Sequence, residues 1–328
     1  MYADLLARVA DDVEAGGPCA VVLRGYEDAP GPSAVALRLA GSVHRLVLER
    51  RAGALAAYYP SVGGSWAPED GWAAFLALLS EQPDAVREWL DRPPQTNEVG
   101  RSAALMAGLL ALTDEWGDLP VHLTEIGSSA GLNLLADRFR YRSVDGRSAG
   151  PVDSPVVLDG AWVGDVPLHA PWPRLVERHG SDVMPVDVAT TAGRLTVTAY
   201  VWADQVARHE RLRGALALAA QSPVVVRRAG AAAVVDDLDV ADGALTVLWH
   251  SVMWQYLEAE EQQRVRAGID ELGARATPAA PFAHLFLEPT RRTPTSAHEF
   301  LLVLESWPGG TRRVLASTRG HGVPTAWE

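Results

Sequence analysis

Cysteine occurs once in the 328 residues, as Cys19, so no intramolecular disulfide can form and a CxxC-type zinc or redox site lacks its ligands. Lysine is absent, and apart from histidine every basic side chain is an arginine. That bias carries no mechanism. Acids outnumber bases to leave a net charge of −12, whereas binding a phosphate backbone needs a basic face, so nucleic acid is not expected as the main partner. No stretch approaches the roughly 20 uninterrupted apolar residues of a membrane span. The opening MYADLLARVADDVEAGG carries three acids in its first twelve residues and no basic segment followed by an apolar run, which argues against a signal peptide and makes the cytoplasm the expected compartment.

What the chain does have is apolar content, 48%, ample for a packed core in one large domain or two of ordinary size. To about residue 118 the apolar spacing is helical, in YADLLARVADDV and again in WAAFLALLS. Between them LAAYYPSVGGSW, residues 55–66, reads as an irregular loop around Pro60, Gly63 and Gly64. A further helix is predicted after PPQTNEVGR, capped by Thr96 or Asn97, with Leu105, Leu109 and Leu112 on one face. From residue 119 short apolar runs alternate with amphipathic helices, the pattern of a parallel sheet flanked by helices. VHLTEI, PVVVRRAG, LTVLWHS and FAHLFLEP read as strands, and GSDVMPVDV supplies a strand end. GLNLLADRF, WADQVARHERLRGALALAA and LEAEEQQRVRAGIDELG read as helices, the last closed by Gly273. Residues 141–175, rich in Pro, Gly and Asp around a short strand PVVLD, look like an insertion. EFLLVLESWPGGTRRVLASTR is predicted to form a hairpin turned at Pro308, Gly309 and Gly310.

The segment VHLTEIGSSAGLNLLADRF, residues 121–139, admits two active sites. Gly127, Ser129 and Gly131 spell G-x-S-x-G, the elbow that presents a serine nucleophile in α/β-hydrolases, with Glu288 and either His321 or His298 in the required order downstream. Against it, a helical region precedes the elbow where a hydrolase would already have laid down strands and an oxyanion loop. The same letters read Glu125-x-Gly127-x-x-x-Gly131-x-Asn133, a nucleotide-type turn. Gly127 permits a tight turn and close approach of a ligand, Gly131 lets the following element start near the strand, and Asn133 adds a polar contact. Glu125 would repel a dinucleotide pyrophosphate and attract the amino group of S-adenosylmethionine.

The E-x-G-x-x-x-G turn, acids at strand ends and a closing antiparallel hairpin resemble the class I S-adenosylmethionine-dependent methyltransferases. More closely, PSVGG, QTNEVGRSAAL, EIGSSAGLNLLADRFRY, GSDVMPVDV and LWHSVMWQYL resemble, over nearly the whole chain, a bacterial family catalogued as domain of unknown function 2332. The resemblance implies an α/β fold: a helical N-terminal cap and substrate region, residues 1–118, and a Rossmann-like methyltransferase core, residues 119–328, with a mostly parallel sheet ending in an antiparallel hairpin. It also implies an acid at the end of the second strand that binds the cofactor ribose; Asp182 fits the G-x-D-x-x-P pattern and Asp159 is its rival. Where the third strand usually ends in Gly-Asp, this chain has Gly230-Ala231.

The expected activity is therefore S-adenosylmethionine-dependent methyl transfer to an oxygen or nitrogen of a small molecule, with no metal required. A serine hydrolase using Ser129 and a non-catalytic binding protein are the alternatives. The cofactor residues expected are Glu125, Gly127, Ser128, Ser129, Gly131, Asn133 and Asp182, with Arg101 for the methionyl carboxylate. His250 is the expected proton acceptor, set against an equally ordinary role as a hydrogen-bonded core histidine. Asn97, Ser251, Trp254 and Tyr256 are the expected substrate contacts, although aromatics near a strand end, Trp249 among them, more often serve the core. The charges of HERLRGAL and EAEEQQRVR read as solvated helix faces. Oligomeric state is not legible.

Overall fold

A computed structural model describes residues 1–92 and 94–328; Pro93, which opens the PPQTNEVGR segment, lies outside them. The helices are α1 (Tyr2–Glu14), α2 (Pro18–Val22), α3 (Val35–Leu48), α4 (Pro68–Glu81), α5 (Pro83–Leu90), α6 (Ser102–Trp116), α7 (Thr191–Ala199), α8 (Val206–Gln221), α9 (Ala231–Asp236) and α10 (Ala259–Arg275). The strands are β1 (Pro120–Ile126), β2 (Arg140–Arg142), β3 (Ser148–Ala149), β4 (Val157–Asp159), β5 (Trp162–Val163), β6 (Arg174–Asp182), β7 (Val226–Arg228), β8 (Leu245–Ser251), β9 (Phe282–Arg291), β10 (His298–Trp307), β11 (Thr311–Thr318) and β12 (Thr325–Trp327). Two compact units form, Met1–Thr96 with Asp187–Glu210, and Asn97–Val186 with Arg211–Glu328.

The first unit is helical, as its periodicity predicts. Proline at the first turn starts α2, α4 and α5, where a missing N–H costs nothing and the fixed φ suits a helix. Leu5 and Val9 of α1, Leu39 and Val43 of α3 and Phe75 and Leu78 of α4 share one core. The 55–66 loop is built from short 3-10 turns and ends at Gly63, φ +87°. The unit boundary differs from 118. Residues 187–210 return to this unit through α7, which packs on α3, and α6 leaves it.

The second unit carries a nine-stranded sheet in the order β5-β12-β11-β10-β9-β8-β1-β6-β7 and a small sheet β3-β2-β4. From β9 to β7 every pairing is parallel; β10, β11 and β12 then add antiparallel strands, including the expected hairpin. Every residue of β8 is buried, which is why LTVLWHS shows no alternation of apolar and polar residues. α6 is buried over Ser102–Thr113 and packs against β9 and β10, with Gly108 admitting Leu285. No helix among the described residues is long and apolar enough to cross a membrane.

Two local expectations are corrected. GLNLLADRF is a kinked 3-10 segment, Leu132–Arg138, and not an α-helix. Non-helical backbone at Leu135 breaks the segment, and its carbonyls are satisfied from outside: Arg178 Nε donates to Leu134 O, Tyr141 OH to Ala136 O and Trp172 Nε1 to Asp137 O. Gly273 does not stop α10, which runs on to Arg275; an added Cβ there would lie 2.6 Å from Trp307 Cε2. Gly273→Ala therefore opposes a helix-propensity gain of about 1 kcal/mol with an overpacking cost of about 1–3 kcal/mol, and a net loss is expected in denaturant unfolding.

Candidate functional site

The chain starts its parallel sheet in the middle: from β1 it builds outward through β6 and β7 on one side and through β8 and β9 on the other. In such sheets the crevice outside the carboxyl ends of the strands lies where the order reverses, here between β1 and β8. Four of the residues at these ends have positive φ: Gly127 (+69°), Ser129 (+54°) and Gly131 (+71°) after β1, and Val252 (+51°) after β8. For a β-branched valine this is a strained conformation, and strain of this kind persists where the surroundings enforce it, often at ligand sites.

Glu125 lies one residue before the end of β1, level with Trp249 on β8 and Gly180 on β6. It is 2% exposed. Trp249 Nε1 donates to its Oε1 at 3.2 Å, and among the described residues Oε2 has no hydrogen-bond partner. Burial pushes this carboxyl up to about 8, with Asp182 adding to the rise and Trp249, Arg101 and Asn133 opposing it. Gly127 is pressed against the loop after β8, since an added Cβ would sit 2.9 Å from Met253 Cβ.

Asp182 ends β6 and clamps the turn. Its Oδ2 accepts from Ser129 N at 2.9 Å and its Oδ1 from Met184 N at 2.8 Å. Ser128 donates through N (2.9 Å) and Oγ (3.2 Å) to Ser181 O. Asp159 is remote from this clamp; it ends β4 in the small sheet, exposed and paired with Arg142 at 3.1 Å.

Polar groups from the start of α6 complete the site. Asn97 does not cap α6; its Oδ1 accepts from Leu132 N at 3.0 Å, and Glu98 caps the 3-10 turn Val99–Arg101 before that helix by accepting from Gly100 N at 2.9 Å. Ser102 Oγ donates to Asn133 Oδ1 at 2.7 Å. Arg101 donates from Nη1 to Ser251 O at 3.3 Å and from Nε to Gly320 O at 3.0 Å, which puts its charge in reach of Glu125. Glu98 is buried with Arg211 and His321 each 3.8 Å from it, so Arg211 of HERLRGAL is a partner of the site's rim and not a solvated helix charge. The expected residues Glu125, Gly127, Ser128, Ser129, Gly131, Asn133, Asp182, Arg101, Asn97 and Ser251 thus gather around the ends of β1, β6 and β8.

His250 is placed differently from expectation. It lies inside the sheet at 2% exposure, with Nδ1 2.8 Å from Glu288 Oε1 and Nε2 3.0 Å from His284 Nε2. Both ring nitrogens are occupied, so this ring does not offer a nitrogen to a ligand. Trp254 stacks on His250 at 5.4 Å and serves packing there, while Tyr256 is half exposed. His284 and Glu305 are not among the residues expected from the sequence; the signal available for His284 is that it and Glu288 are the two polar side chains of the otherwise apolar FAHLFLEP and fall on one face of β9.

A family model described as "Uncharacterized protein conserved in bacteria (DUF2332)" matches residues 1–327. No curated protein matches the chain.

Proposed function

Because the chain belongs to this bacterial family, whose description names no reaction, its own site is the starting point, and we propose that it is an S-adenosylmethionine-dependent methyltransferase acting on an oxygen or nitrogen of a small molecule. The observation that carries the reading is Glu125: a buried carboxyl group whose Oε2 has no hydrogen-bond partner among the described residues, at the reversal point of a parallel sheet, beside three positive-φ residues. A cationic amino group would fill the vacant partnership and offset the cost of burial, whereas a pyrophosphate would be repelled. A Rossmann-like core is supported by the order of the five parallel strands.

The residues present fit that group in three respects and depart in one. Asp182 keeps lone pairs for ribose hydroxyls beyond its two backbone donors, and Arg101, which donates to Ser251 O, brings the positive charge that a carboxylate requires to the same strand ends. Gly127 and Gly131 hold the backbone conformation that keeps a Cβ out of the turn. The departure is Ala231, buried at the start of α9 where an acid is usual near adenine. When bound, the cofactor supplies an electrophilic methyl group; the chain contributes positioning and exclusion of water.

The hydrolase alternative is weakened by occupied partners. Glu288 engages His250, His321 lies against Glu98, and His298 is exposed at the start of β10 opposite Arg291, which weighs against a Ser129 triad in the expected order. Calorimetry with S-adenosylmethionine, S-adenosylhomocysteine and a nicotinamide dinucleotide tests the proposal. Dissociation constants on the order of micromolar are expected for the first two, and Glu125→Ala should weaken them by about 1–3 kcal/mol, the value of a charge-assisted hydrogen bond. Ser129→Ala should do much less. No heat from either sulfur ligand with folded protein overturns the reading; phosphonate labelling at Ser129 favours the hydrolase.

A further inference from the structure

Across β8, β9 and β10 four titratable side chains form one line: Glu288 Oε1 to His250 Nδ1 at 2.8 Å, His250 Nε2 to His284 Nε2 at 3.0 Å, and His284 Nδ1 to Glu305 Oε2 at 2.8 Å. The register explains it. His284, Phe286 and Glu288 share one face of β9, His250 stands opposite Phe286 on β8, and Glu305 stands opposite His284 on β10. The side chains bond one another in sequence and do not converge on a point; among the described residues no group of three or more acidic, histidine or cysteine side chains is placed to hold a metal ion.

Each of the three contacts needs one proton between its atoms. At one end Glu288 Oε1 also accepts from Met253 N (2.9 Å) and Trp254 N (3.2 Å), which marks it as a carboxylate acceptor, so the proton of the first contact belongs to His250 Nδ1. At the other end Glu305 faces Arg266 Nη1 at 2.7 Å and Arg312 Nε at 3.3 Å. Although burial alone would raise it, hydrogen bonds from His284 and Arg266 draw this carboxyl down to about 2, so the proton of the His284–Glu305 contact belongs to His284 Nδ1. Two neutral rings are then fully used, and their Nε2 atoms, 3.0 Å apart, would meet lone pair to lone pair. A third proton must lie between them. Burial depresses His284 to about 4, so His284 does not hold that proton alone.

We propose that His250 and His284 share a buried proton between two carboxylates, and that the four residues form one proton-exchange unit whose open end is Glu288 Oε2. That oxygen is buried and has no partner among the described residues. It sits one residue beyond the strand position level with Ser251, and the Met253 whose N–H it holds is the residue packed on Gly127. As the proton acceptor of the transfer it rests on the methyltransferase reading: the substrate O–H or N–H bond breaks, its proton passes to Glu288 Oε2, its electron pair forms the bond to the methyl group, and the electrons of the broken methyl bond return to the donor sulfur. Glu288 is the proton-transfer group, while His250, His284 and Glu305 are positioning residues.

Nitrogen-15 NMR of histidine-labelled full-length protein, without ligand, tests the unit. Both rings are expected to be protonated at Nδ1, with one further proton correlated to both Nε2 atoms; an unprotonated Nδ1 on either ring overturns the proposal. In Glu305→Gln the side-chain amide can donate to His284 Nδ1, so His284 should switch to the Nε2–H form, its Nδ1 losing its proton while one proton still lies between the two Nε2 atoms. An unchanged His284 tautomer also overturns it. Solvent exchange of the shared proton should slow about a hundredfold in Glu288→Gln, the lower part of the range for losing a proton-carrying group, whereas unchanged exchange would place the open end elsewhere and overturn that assignment. Absence of S-adenosylmethionine binding in calorimetry on the same wild-type sample would remove the methyl-transfer reading and leave the NMR result standing, so the two failures are distinguishable.

Discussion

Asp182→Ala is expected to lower the unfolding free energy by roughly 2–6 kcal/mol, because it leaves two backbone N–H groups without their acceptor at about 1–3 kcal/mol each. Both bonds are short, 2.9 Å to Ser129 N and 2.8 Å to Met184 N, and Ser129 is held at a φ of +54° that a serine rarely adopts. The clamp therefore offsets strain as well as satisfying donors, and its loss should also disorder the turn that the proposed cofactor needs. Asp182→Asn, which keeps one carbonyl acceptor, should cost about half as much. Asp159→Ala is the contrast: its exposed pair with Arg142 is worth about 0–1 kcal/mol. Denaturant unfolding of the three variants checks the order. Equal midpoints for Asp182→Ala and Asp159→Ala would refute the clamp.

The parts of this site that could be read in advance are those where one local rule dominates. Burial on both faces gives β1, β8 and β9 their apolar runs, and the glycines at 127 and 131 announce positive φ because few other residues tolerate it. What could not be read depends on partners far along the chain. Leu132–Arg138 has helical spacing, yet Arg178 and Tyr141 take its carbonyls, and neither contact leaves a mark in the local pattern. The return of 187–210 to the helical unit depends on α7 packing against α3, across some 150 residues of sequence. His250 illustrates the same limit within the site. Its position at a strand end was legible, but its protonation partners sit on β9 and β10, and only the register of three strands puts Glu288, His284 and Glu305 in line with it.

Glu125→Gln should remove a penalty that grows with pH. In the unfolded chain this carboxyl ionises near 4.5, whereas in the folded protein burial pushes it up to about 8. Below pH 4.5 both states hold the proton and the group does not affect stability. Between pH 4.5 and about 8 the unfolded state releases the proton and the folded state keeps it, so folding stability falls as pH rises, by at most about 1.4 kcal/mol per unit. Above pH 8 both are ionised and the penalty is constant. The glutamine variant, neutral throughout, should therefore match the wild type most closely near pH 4 and exceed it by a few kcal/mol near pH 8, read as a growing gap between denaturant midpoints. A gap that stays flat or closes with rising pH would mean that Glu125 is ionised in the folded protein. The same proton makes the ligand reading quantitative. A cation that binds beside Oε2 favours the ionised carboxylate, so S-adenosylmethionine binding at pH 7 should release close to one proton, seen as a binding enthalpy that varies with the ionisation enthalpy of the buffer. Glu125→Gln should abolish that buffer dependence along with most of the affinity, and binding that releases no proton in the wild type would place the amino group somewhere other than Glu125.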